Sequence, residues 1–300
     1  MGLAALTLWL VSVMVFLATN ALGDPARAIL GRSATPDRLA ALQAHLHLDQ
    51  PVVARYFLWL GGMLTGDLGT SLTGTSVGTL IGPRIGNSAL LVLVTAVVII
   101  PVAGFLAIVA ARRHGRKSDS LIQVILLAVA ALPEFVIGIL LVALFSTTVF
   151  RWLPSVSLSS DVAGMVLPVL TLVLAVVPYV ARILRASLIE VLESDYVEMA
   201  RLKGLPEGLA VRRHALANAV VPAIQVMALQ LAWLAGGIVV VENVFQYQGI
   251  GMTLVDAVRN RDLPVVQALA LLIAAVYVVV NLVADVLTIL VTPKLRTAVR

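Results

Sequence analysis

Long apolar runs, interrupted by short polar stretches, set the plan of this chain. Met1 to Gly23, Ile85 to Ala111, Val162 to Ala181, Ala215 to Val241 and Leu263 to Ala284 carry no charged residue, and Glu242 and Asp262 stand only at their edges. Each run is near or above the roughly 20 residues that a bilayer-spanning helix needs. A sixth run, Ser120 to Phe150, is broken by Glu134. The pattern predicts an all-α protein of six spans, because a membrane barrel would show short alternating segments instead. The first run lacks a basic start, and Ala21, Leu22 and Gly23 make a weak cleavage pattern, so it reads as a retained span.

A long polar island, Ser187 to Pro222, lies between the fourth and fifth spans. Leu188, Val191, Leu192, Tyr196, Met199 and Leu202 recur at helical spacing, with Glu190, Glu193, Glu198, Arg201 and Lys203 largely on other faces. Gly204 supplies a helix terminus and Pro206 suits the first turn of a second helix. Leu209, Val211 and Leu216 continue the apolar pattern beside Arg212, Arg213 and His214, so the island is predicted as helix, glycine turn, helix.

Composition agrees with this plan. Hydrophobic residues make up 60% and charged residues 12%, with a mean hydropathy of +1.03, which excludes an ordinary soluble domain. The net charge of +5 follows topology and not nucleic acid. Arg112, Arg113, Arg116 and Lys117 crowd the short loop between spans two and three, which places that loop in the cytoplasm. By alternation the island and the tail with Lys294, Arg296 and Arg300 are cytoplasmic, and residues 24–84 are external. The absence of cysteine excludes disulfides and thiolate chemistry.

Outside the spans, Thr35 can cap and Pro36 can open a short external helix with Leu39, Leu42 and Leu46 on one face. A second helix follows Pro51, where Tyr56, Phe57 and Trp59 suit a membrane interface, a neighbouring subunit or simple packing. His45 and His47 do not share a helical face, so they are rejected as metal ligands. Eight glycines between Gly61 and Gly86 predict a loop-rich approach to the second span. In the third span Pro133 bends the helix, and Glu134 beside it is at mid-depth, where a carboxylate costs about 3 kcal/mol unless it faces water or a partner. Glu134 is a translocation-path candidate, or else a structural partner for a neighbouring helix. Arg182 and Arg185 fit the boundary of the fourth span by snorkelling. Gly249 and Gly251 read as turn or hinge positions. Asn281 and Asp285, one turn apart in the last span, are further path candidates or buried hydrogen-bonding groups.

There is no H-E-x-x-H or G-x-x-x-x-G-K-[ST] motif. A polytopic chain without a phosphate-binding loop of its own, but with a structured cytoplasmic helix pair, invites an engine that docks there. The rival reading of the island is an amphipathic helix on lipid headgroups.

Glu198, Met199 and Ala200, followed three residues later by Gly204, resemble the EAA signature of ATP-binding-cassette importer permeases. The string DYVEMARLKGL through RRHALANAVVP resembles the oligopeptide, dipeptide and nickel branch. Further matches run along nearly the whole chain: GDPARAILG, WLGGMLTGDLGTSL, LPEF, ARILRASLIEVL, GGIVVVENVF, GIGMTLVDAVRNRDLPVVQ and NLVADVL. The resemblance implies a type I importer permease fold, with a first span (1–23), an external subdomain (24–84) and a transmembrane domain (85–300) carrying the coupling segment 187–222. It also implies a bacterial inner-membrane subunit that is not itself an enzyme. Its partners would be a second permease, two ATPases that bind ATP and magnesium, and an external solute-binding protein; no metal or cofactor is expected in this chain. Carried over from the family, ATPase coupling falls to Asp195, Glu198, Ala200, Arg201, Lys203 and Gly204. The sequence departs from the family where Tyr247 and Gln248 replace Trp-Pro, where Thr292 replaces Asp, and at Glu134, a position more often small or amide-bearing. Peptides are the leading substrate class, with nickel chelates, glutathione or sugars within the same machinery; an ion-coupled carrier is the alternative of another class, motivated by Glu134 and Asp285.

Overall fold

The computed structural model describes residues 2–21, 35–45, 50–147, 149–157, 162–202, 206 and 216–291. Leu46, His47, Arg212, Arg213, His214, Lys294, Arg296 and Arg300 lie outside the described residues, as does GDPARAILG. Apart from one isolated antiparallel bridge between Thr70 and Ser76, the regular elements among the described residues are helical. They are α1 (Gly2–Ala21), α2 (Pro36–His45), α3 (Val52–Thr65), α4 (Val77–Arg112), α5 (Lys117–Ala130), α6 (Glu134–Val142), α7 (Val162–Leu192), α8 (Asp195–Leu202), α9 (Leu216–Phe245), α10 (Ile250–Arg259) and α11 (Leu263–Val291).

Four of these, α1, α4, α7 and α11, are long and apolar enough to cross a bilayer, and two bent pairs raise the number to six. One pair is α5 with α6 and the π-helical turn Ala143–Thr147 that follows it, bent by 98°. The break falls at Leu132 and Pro133: a proline disfavours helical geometry in the residue before it and donates no N–H. The helix restarts with the Val136 N–H donating to Pro133 O at 3.0 Å. The other pair is α9 itself, bent by 54° between Leu234 and Gly236.

The chain forms two compact units, Met1–Ala89 with Gln248–Val278, and Leu90–Tyr247 with Val279–Arg300. In the first, Val77 and Ile81 at the start of α4 bury against Ile250 and Ala257 of α10 and Val265 and Leu269 of α11. Here α4 begins at Val77, well before the expected start at Ile85. Gly78, Gly82 and Gly86 each weaken a helix by about 1 kcal/mol, but burial of the apolar side chains between them prevails. Gly66 does end a helix: at φ +87° it closes α3, and the Asp67 N–H donates to Gly62 O at 2.9 Å. The aromatic group divides. Tyr56 and Trp59 pack on Phe16 of α1, with ring centroids 5.4 and 5.5 Å away, and the Tyr56 hydroxyl is 2.8 Å from Ser12 Oγ. Phe57 faces outward.

Across the same unit, Arg84 Nη1 donates to Gln248 Oε1 (2.6 Å), Asn87 Nδ2 donates to Gln248 O (2.7 Å), and Ser88 Oγ accepts the Ile250 N–H (2.9 Å). One face of α4 therefore holds the segment that leads into α10. Gly249 is extended there, and Gly251 is not in a turn but buried in the first turn of the helix.

The second unit centres on α7, whose inward face from Leu167 to Val180 meets Leu91 and Ile99 of α4, Leu126 of α5, Ile137 and Leu141 of α6, and Leu234, Ile238 and Phe245 of α9. Pro168 lies inside α7 and cannot donate to Gly164 O. That carbonyl instead accepts the buried Ser157 hydroxyl at 2.5 Å, while the Ser157 N–H donates to Phe245 O at 2.9 Å. A proline gap in one span is thus filled from the loop that precedes it.

Candidate functional site

The polar island departs from its expected form in one respect that sets the site's geometry. Helix α7 does not end at Ala181; it runs unbroken to Leu192, beyond the apolar run that begins it. Leu184, Leu188 and Leu192, four residues apart, form its buried stripe with Ala107 and Ala111 of α4 and Ala219 and Ala223 of α9. Residues Glu193 and Ser194 then interrupt the helix, and α8 starts afresh at Asp195.

This restart shifts the helical phase, so the predicted apolar stripe does not continue through the island. Met199 and Leu202 are 54% and 76% exposed, whereas Val197, absent from the predicted stripe, is 0% exposed and joins the buried cluster. The eight-residue α8 is too short to be stable alone. Burial of Val197 holds one side of it, and the N–H groups of Val197 and Glu198 donate to Ser194 O at 3.0 and 3.1 Å. Asp195 and Glu198 are in its first turn, where negative charge interacts favourably with the helix dipole.

Next to this anchor an open concavity of about 520 Å³ is lined by Leu192, Glu193, Glu198 and Leu202. Two exposed glutamates border an apolar floor, an arrangement suited to receiving a protein side chain. The side chains of Tyr196, Ala200 and Arg201, and all of Lys203 and Gly204, lie outside the described residues.

Arg185 is held inside the fold by an ion pair. Its Nε donates to Asp119 Oδ1 at 2.7 Å and its Nη2 to Asp119 Oδ2 at 2.5 Å, a two-pronged pair between α7 and the first turn of α5. Asp119 is only 6% and Arg185 17% exposed at the side chain, so water competes weakly with the contact. His114, in the turn between α4 and α5, places Nδ1 3.2 Å from Arg185 Nη2 and 3.4 Å from Asp119 Oδ2. The sequence signal for this pair was slight: one acid directly after a basic loop, and an arginine 66 residues away.

Glu134 is half-buried in the first turn of α6, just past the 98° break. Asp285 is exposed on α11, and Asn281, one turn earlier, is partly buried. The first unit holds a second acid that sequence reasoning passed over as a span edge: buried Asp262 accepts hydrogen bonds from the Ser71 hydroxyl and, at 3.2 Å, from the Leu72 N–H.

Residues 103–297 match the family model described as binding-protein-dependent transport system inner membrane component, and residues 1–89 match the model of its N-terminal region. The glutathione transport system permease protein GsiC of Escherichia coli (strain K12) is 39% identical over 293 residues, covering 97% of this chain and 95% of that protein. GsiC of Shigella dysenteriae serotype 1 matches at 39% with the same coverage. GsiC of Salmonella paratyphi A is 37% identical over 292 residues.

Proposed function

Because the chain belongs to the family of binding-protein-dependent transport system inner membrane components, and so is a multi-pass permease of an ATP-binding-cassette importer, we propose that α8 and the concavity beside it are where it receives an ATPase. The observation that carries this is the combination at α8: a short helix anchored on one side by fully buried Val197, offering Met199, Leu202 and Glu198 on the other. A partner groove would take the apolar side chains while Asp195, Glu198, Arg201 and Lys203 set register, with Ala200 and Gly204 allowing close approach.

On this reading the chain pairs with a second permease and borrows two ATPases, which bind ATP and magnesium on its behalf. The polar island is then cytoplasmic, and residues 24–84, with the segment around α10, face an external solute-binding protein. ATP-driven approach of the ATPases moves the two coupling helices and rocks the spans between inward-open and outward-open states. The cargo is of the peptide class. Glutathione, a small peptide and the substrate named for the relatives, falls within it. Glu134, at the break of the third span, contributes to the path, since a carboxylate held at that depth suits a wet cavity and the amino groups of peptides.

The test is co-purification of the permeases with their ATPases. Glu198→Arg and Gly204→Asp should each release them; full assembly with normal uptake in both variants would refute the docking assignment. For Glu134, uptake of several peptides and glutathione is compared between wild type and Glu134→Gln. Unchanged rates and preferences would remove it from the path.

A further inference from the structure

We propose that Asp119 and Arg185 are positioning residues that make the third span follow the coupling helix. The proposal rests on the ATPase-docking reading of α8 and adds how a push on α8 is distributed.

Val197 fastens α8 to a cluster drawn from the end of α4, the extension of α7 and the start of α9. These apolar contacts link α8 to the second, fourth and fifth spans but include nothing from α5. The third span joins at this level through the two-pronged pair, because Asp119 sits in the first turn of α5 and Arg185 between Leu184 and Leu188 of the buried stripe. The tether is short on its other side as well. Only four residues, Arg113 to Arg116, separate α4 from α5, Gly115 turns there at φ +77°, and the Asp119 N–H donates to Arg116 O at 3.0 Å.

A planar guanidinium gripping both carboxylate oxygens fixes orientation as well as distance. Such a contact fixes the rotation of α5 against α7 at this level, in addition to the packing of Ile122, Leu126 and Val129 further along α5. At its far end α5 meets the 98° break before Glu134. Movement delivered through Asp119 therefore ends at a joint, beside the residue placed in the path. Broken at Asp119, the pair would leave α8 seated on its ATPase while α5 followed it only through the short turn and its apolar packing on α7.

The experiment uses the complete transporter in proteoliposomes with its binding protein. Asp119→Asn and Arg185→Met should keep the ATPases bound and the thermal midpoint of the complex high enough for assay, yet lower substrate moved per ATP hydrolysed by about tenfold. The exchange Asp119→Arg with Arg185→Asp, which restores opposite charges across the same gap, should recover a large part of that ratio. An unchanged ratio in both single variants would overturn the proposal. So would loss of the ATPases from them, since the pair would then only shape the docking surface. A variant whose permease does not accumulate in the membrane as folded protein is replaced by Asp119→Glu, which keeps the charge but displaces the carboxylate; a normal ratio there, with the ATPases retained, would likewise count against a geometric role. Glu198→Arg separates the two readings: if it leaves docking intact, the assignment of α8 fails whatever the Asp119 variants do.

Discussion

Gly138 offers the sharpest test of how the broken third span is held. It lies in α6, and a Cβ built there would be 3.2 Å from Cε2 and 3.5 Å from Cζ of Phe245, and 3.5 Å from Cγ1 of Val244. Carbon pairs prefer about 3.5–4.0 Å, so the nearest contact is too close by a few tenths of an ångström. Phe245 is fully buried and its backbone carbonyl accepts the Ser157 N–H, so the ring has little room to yield. Alanine would regain up to about 1 kcal/mol of helix propensity, which offsets part of the clash. Valine adds two more methyl groups at the same point, and overpacking of this kind costs about 1–3 kcal/mol. Gly138→Val should therefore lower the thermal midpoint of the purified permease, by roughly 2–4 °C per kcal/mol if a domain of this size follows the usual scaling. Gly138→Ala should fall between it and wild type. Adding Phe245→Leu to Gly138→Val should return part of the loss, with a coupling energy above about 0.5 kcal/mol in a double-mutant cycle. An unchanged midpoint for Gly138→Val would refute the close packing of α6 on the end of α9.

Other contacts lead to expectations of different kinds. Val197→Ala removes two fully buried methyl groups from the anchor of α8, about 0.8 kcal/mol each before any cavity term; protease protection or hydrogen exchange of 195–202 should fall while the spans keep theirs. Ser157→Ala leaves the Gly164 carbonyl facing only Pro168, a loss of about 1–3 kcal/mol. Adding Pro168→Ala, which supplies a backbone N–H to that carbonyl, should recover stability, and strict additivity of the two changes would argue against the shared bond. Asp262→Ala strands the Ser71 hydroxyl and the Leu72 N–H, and should loosen the first unit by a similar amount, measured as faster exchange over 68–82 with 90–147 unaffected.

The apolar runs alone reveal where the membrane is met, because the cost of a charge in hydrocarbon leaves only long uncharged stretches. The break at Pro133 was equally legible, since a missing N–H and a blocked preceding residue act locally. The position of the polar island and its EAA-like string lie wholly in local residue order as well. The end of α7 was not legible. Ala181 closes an apolar run, but a helix continues as long as one stripe stays buried, and Leu184, Leu188 and Leu192 had a surface to bury against only once α4 and α9 lay beside them.

The island shows most clearly what the sequence determined by itself and what tertiary structure decided. Residue order alone determined a helix-forming, acid-rich segment between two spans. Which of its side chains face outward depended on the interruption at Glu193 and Ser194, which reset the helical phase and buried Val197 in place of Met199 and Leu202. The pairing of Asp119 with Arg185 likewise required α5 and α7 to be packed together. Periodicity and hydropathy report what a residue prefers among its immediate neighbours, whereas a buried ion pair exists only where the fold brings its two charges together and excludes the water between them.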